Sequence, residues 1–148
     1  MGSMRRSIWL GAAAAVAMGA APAAMAQNVK IGIVTFLSGP AAAPFGVPAK
    51  NAAEFVIKQL NEGKGPAPYD KKGFGGTTIE TAIIDEAGST TTQVTEFRNL
   101  VQRDNVDLVI GYVSSGNCLA VAPVAEELKK FTDFFDCGTP RIFEDNDY

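Results

Sequence analysis

"VKIGIVTFLSGPAAAPFG", Val29 to Gly46, starts as a strand and then sheds its side chains. Apolar and β-branched residues run to Phe36, followed by Ser38-Gly39-Pro40, three alanines, and a single ring, Phe45, before a glycine. Beyond it, Ala49, Ala52, Ala53, Val56, Ile57 and Leu60 recur at the spacing of one helix face. Asn61-Glu62-Gly63 closes that helix with the glycine expected after a C-terminus. A buried strand feeding an amphipathic helix through a small-residue turn is the first unit of an α/β fold.

The same alternation continues downstream. Gly63 to Gly76, "GKGPAPYDKKGFGG", reads as a solvated loop or short hairpin. Ile79–Asp85 reads as a second strand. Thr90 to Gln93 fits a capping box with Thr90 as N-cap, opening a helix whose apolar face is Val94, Phe97, Leu100 and Val101. Val106–Val113 is a third strand, and Val121, Val124, Ala125 and Leu128 mark a third helix. Pro123 fits that helix best near the first turn; deeper inside, it would kink the helix. Phe131–Asp136 reads as a short fourth strand. The order β-α-β-α-β-α-β predicts a parallel sheet with crossover helices on its faces.

In such a sheet ligands bind beyond the carboxyl ends of the strands. The four loops there hold Ser38, Gly39 and Phe45; Asp85-Glu86 and Gly88-Ser89-Thr90; Ser114-Ser115-Gly116-Asn117; and Gly138-Thr139-Pro140-Arg141. Singly, each hydroxyl is explained by helix capping, Asp85 by a solvated strand end and Phe45 by core packing. Together, hydroxyls and helix N-terminal N–H groups suit a carboxylate. Glycines admit a ligand to the backbone, and one ring supplies an apolar wall.

Residues 1–26 stand apart. Met1-Gly2-Ser3 looks like a cloning scar. From Met4 the chain runs basic (Arg5-Arg6), apolar (Ile8 to about Ala21) and small (Ala24-Met25-Ala26), the pattern of a secretory signal peptide cleaved after Ala26. The apolar run is alanine-rich and shorter than the roughly 20 residues of a membrane span. Cleavage leaves 122 of 148 residues, one small domain, with a net charge that moves from −3 to −5 on loss of the two arginines. An acidic chain without a basic run argues against nucleic acid. Export implies an oxidising compartment in which the two cysteines, Cys118 and Cys137, could pair if their strands are neighbours; two free, buried thiols are the other reading.

Catalysis has little support. The chain has no histidine, which removes the commonest general base and metal ligand. "GYVSSG" is not the G-x-S-x-G elbow, and neither phosphate-binding glycine signature occurs. Two cysteines without histidine are too few for structural zinc. No cofactor or metal is expected.

"IGIVTFLSGPAAAPFG", "AAEFVIKQLNEGKG", "IIDEAGSTTTQV", "VDLVIGYVSSGN" and "FFDCGTP", in this order and spacing, resemble the periplasmic solute-binding proteins of ABC importers, in the branched-chain amino acid group. The resemblance covers essentially all of residues 27–148. It implies the first lobe of a type I periplasmic binding protein, one of two lobes that close on a small solute and deliver it to an inner-membrane permease. It implies that Ser115 is the ligand serine, that Phe45 lies over the ligand, and that the Cys137–Thr139 turn offers backbone groups and the Thr139 hydroxyl. Ser38, Ser114 and Asn117 complete the candidate ligand-binding set. The turn after the fourth strand departs from the family's usual S-P-x-x-T, which leaves open an aromatic carboxylate, an amide or urea as ligand. The chain ends where the crossing to a second lobe is expected, so residues 27–148 read as an incomplete N-terminal lobe. The competing readings are the sensing domain of a receptor, a secreted α/β enzyme, and a truncated chain that binds nothing itself.

Overall fold

The computed structural model describes residues 28–145. The expected signal peptide lies outside them. Four parallel strands form one sheet: β1 (Val29–Thr35), β2 (Ile79–Asp85), β3 (Leu108–Gly111) and β4 (Thr132–Phe134), in the order β2-β1-β3-β4. Four helices accompany them: α1 (Val47–Asn61), α2 (Thr90–Gln102), α3 (Ser115–Glu127) and the short α4 (Arg141–Glu144). The expected α/β class and strand–helix alternation are therefore present. The register sets Ile33 beside both Ile83 and Ile110, and Val34 beside both Ile84 and Gly111.

The alternation within β1 decides which helix packs where. Gly32 and Val34 point to the α2–α3 side, where the main core lies: Phe97, Leu100, Val106, Val109 and Val121 are all buried there with Val34. Gly32 has no room for a side chain, since a β-carbon would stand 3.2 Å from Leu100 and 3.3 Å from Val109. Ile33 and Thr35 point to the opposite side, toward α1. No residue of α1 is buried, and a groove of about 410 Å³ lined by Ile33, Ala53, Ile57, Ile110 and Phe135 lies beside it. The end of α1 is nonetheless tied to the start of β2. The Asn61 amide donates to Ile79 O and accepts from Ile79 N, both at 2.8 Å, as a neighbouring strand would.

Several local expectations change. The N-cap of α2 is Ser89, not Thr90: Ser89 has extended backbone and its Oγ accepts from Thr92 N at 3.1 Å. Gln93 does not reach back to the cap. It is fully buried, and its amide donates to the carbonyls of Asp85 and Ala87. Pro123 lies beyond the first turn of α3, because the helix already starts at Ser115. It is exposed and lacks the N–H that would bond to the carbonyl four residues back. The third and fourth strands are shorter than expected. Tyr112, with φ at +68°, turns the chain out of β3. The small-residue stretch after β1 also holds an unforeseen feature, a π-helical turn over Ala42–Gly46 that runs directly into α1.

Candidate functional site

Because all four strands are parallel, the loops after β1, β2, β3 and β4 open on one sheet edge. The exit of β2, the edge strand, organises the loops after β1 and β3 through two adjacent carboxylates. Asp85 accepts from Leu37 N (2.8 Å), Ser38 N (3.4 Å), Ala87 N (3.0 Å) and Ser38 Oγ (2.5 Å). Burial alone would raise its pKa, but the hydrogen bonds from Ser38 Oγ and from the Ala87, Leu37 and Ser38 amides together hold it below the ordinary aspartate value. Glu86 reaches further, to the exit of β3. Fully buried, it accepts from Val113 N (2.8 Å), Ser114 N (2.7 Å) and the Asn117 side-chain amide (3.2 Å).

The β3 exit is the centre of the site. Ser114 is the N-cap of α3, its Oγ accepting from Asn117 N at 3.4 Å. The next two N–H groups, of Ser115 and Gly116, precede the first intrahelical bond and have no acceptor among the described residues. The half-buried Ser115 hydroxyl is likewise uncommitted. A β-carbon on Gly138 would lie 3.8 Å from Ser115 Oγ, and one on Gly116 would lie 3.8 Å from Thr90 Cγ2. The starts of α2 and α3 and the loop after β4 therefore converge. A Cys118–Cys137 disulfide, with Cα atoms 6.2 Å apart, links α3 to that last loop.

The other residues singled out from the sequence sit differently. Thr139 is half-buried; its Oγ1 accepts from Arg141 N at 3.3 Å and donates to no acceptor among the described residues. Ser38 is exposed, but its hydroxyl is engaged by Asp85. Asn117 is buried and its amide donates to Glu86, so it faces inward rather than toward the open edge. Phe45, in the π-helical turn, is 55% exposed and does not belong to the core. Gly46 beside it packs on the end of β1 with no space for a β-carbon above the Phe36 carbonyl.

The roles of three contributors escaped sequence reasoning. Glu86 and Gln93 act through backbone groups that only the folded chain brings near. Tyr112 is fully buried, with its ring centroid 5.8 Å from that of Phe134. Burial first, and the negative charges of Glu86 and Glu96 second, push its phenol well above the usual range. The N–H groups of Ser115 and Gly116 and the Ser115 hydroxyl are neutral hydrogen-bond donors gathered at one helix start, which suits capture of an anionic group.

The family described as "Periplasmic binding protein" matches residues 28–133. No curated protein matches the chain. Among solved structures, an ABC transporter substrate-binding protein from Sphaerobacter thermophilus superposes with a TM-score of 0.66 at 25% identity, over 78% of this chain and 28% of its own. A branched-chain amino acid transporter substrate binding protein from Streptococcus pneumoniae, in complex with isoleucine, gives 0.68 at 23% identity, over 82% of this chain and 32% of its own. A solute binding protein from R. palustris in complex with 4-hydroxybenzoate gives 0.61 at 23% identity, over 80% and 29%. The last two similarities are of fold alone. The chain spans about a third or less of the length of these proteins.

Proposed function

The chain belongs to the periplasmic binding protein family, and we propose that it forms one wall of an extracytoplasmic site that captures a small carboxylate-bearing solute for an ABC permease in the inner membrane. The family and its structural neighbours are substrate-binding proteins rather than enzymes. The observation that carries the reading is Ser115, whose hydroxyl and N–H are both unspent at the point where three loops meet. A ligand carboxylate there accepts from Ser115 Oγ, from the Ser115 and Gly116 N–H groups and from Thr139 Oγ1, at the positive end of α3. Phe45 packs on the apolar part of the solute. A second lobe supplies the opposite wall, and the ligand shifts the population toward a closed state that the permease reads.

The solute class is a branched-chain or other amino acid, or an aromatic carboxylate. Structural neighbours solved with isoleucine and with 4-hydroxybenzoate motivate both choices. Calorimetric titration with L-isoleucine and 4-hydroxybenzoate, each beside its decarboxylated analogue, tests the reading. Saturable binding of a carboxylate and none of its analogue is the expected outcome. Equal binding of acid and analogue, or binding of neither acid, contradicts it.

A further inference from the structure

We propose that Glu86 is the positioning residue of this site: its buried carboxylate holds the Tyr112–Ser115 turn in the one arrangement that leaves the Ser115 and Gly116 N–H groups free for a ligand. For what the turn serves, this rests on the solute-binding reading; for what holds the turn, it rests on the geometry of Glu86 alone.

Glu86 follows β2, and its acceptors serve the exit of β3, yet β1 lies between those strands. The side chain therefore reaches across the end of β1. Its own backbone is pinned for that task. Glu86 N donates to Thr35 O at 2.8 Å, and the buried Gln93 amide grips the carbonyls of Asp85 and Ala87, the residues on either side. From this fixed base one carboxylate oxygen accepts from Val113 N and the other from Ser114 N and Asn117 Nδ2. No lysine or arginine pairs with Glu86 among the described residues, so its burial is compensated by these donors.

The turn it holds needs holding. Tyr112 is a bulky residue with φ at +68°, a conformation that persists only when its surroundings over-determine it. Tyr112 N donates to Val34 O, and the next two N–H groups go to Glu86. Because Val113 and Ser114 are spent on Glu86, and Asn117 and Cys118 on the Ser114 cap, the ligand meets only the two amides between them. Glu86 thus decides which donors face the solute without touching it.

The test is made in the whole protein, with amide hydrogen exchange and with the affinity for L-isoleucine or 4-hydroxybenzoate, whichever the wild type binds. In Glu86→Ala, exchange at Val113 and Ser114, whose N–H groups donate to Glu86, is expected to quicken by at least about tenfold while Val34 and Val109 stay protected. Affinity is expected to fall by roughly tenfold through lost orientation. Adding Ser115→Ala then costs little more, because the serine is already displaced. If Glu86→Ala does not fold, Glu86→Gln, which keeps the volume but sets an N–H₂ against the backbone donors, gives the same readings. A residue that serves stability alone lowers the melting temperature, and its effect on affinity simply adds to that of Ser115→Ala. Such additivity, or unchanged exchange at Val113 and Ser114, overturns the proposal. A wild type that binds neither probe defeats the solute reading and leaves the exchange result to decide the role of Glu86.

Discussion

Ser114 and Ser115 are chemically identical neighbours with different duties. Ser114 Oγ caps α3, while Ser115 Oγ stands free at the junction with Gly138. Ser115→Ala should weaken ligand binding by about tenfold, the worth of one hydrogen bond to a charged group, and leave the melting temperature nearly unchanged. Ser114→Ala should instead cost about 1 kcal/mol of stability through the lost cap. Titration and thermal melts of the two variants, side by side, check this division. Asp85 carries a pH signature. Its pKa is lowered in the folded chain, so its stabilising contribution is complete above the ordinary aspartate value of 3.8 and is lost as pH falls through the lower, folded value. Melts of wild type and Asp85→Asn should differ at neutral pH and converge in acid below that value. At this scale the sequence was only partly legible. It drew attention to Ser114-Ser115 but not to which of the two is free, because that depends on where α3 begins. Glu86 was visible as a carboxylate at a strand end, but its role depends on β1 lying between β2 and β3, and periodicity carries no strand order.

At the scale of elements, the apolar runs and helical spacings identified each described strand and each longer helix, because β-branched runs and amphipathic spacing leave a strong imprint on sequence. Their ends were read less well. Ser89 and Thr90 can both cap, and the choice fell to Ser89 once Gly88, at φ +114°, had turned the chain. The π-helical turn at Ala42–Gly46 had no signature among small residues. What fixes its exit is steric. A β-carbon on Gly46 would fall 1.6 Å from Phe36 O, so the glycine is required for α1 to start against the end of β1. Gly46→Ala should therefore destabilise by at least about 1–3 kcal/mol, the usual range for overpacking. Denaturant melts compared with those of Ala52→Gly, a change at an exposed helix position costing about 1 kcal/mol, give the contrast.

For the molecule as a whole, the Cys118–Cys137 bridge joins the helix that presents Ser115 to the loop that presents Thr139. Its sequence separation of 19 residues implies about 3 kcal/mol of stabilisation on the chain-entropy account. Replacing both cysteines by alanine should lower the melting temperature by on the order of 10 °C, and reduction of the wild type with a dithiol should reproduce the loss. The central claim is a matter of place: the solute sits at the carboxyl edge of the sheet, on the start of α3. The most direct test is to follow backbone amide NMR signals while titrating the carboxylate that binds. The account predicts saturable shifts centred on Ser115 and Gly116, with smaller ones at Phe45, Gly138 and Thr139. Shifts centred instead on Ile110, Phe135 and the groove beside α1, with Ser115 and Gly116 unmoved, would contradict it.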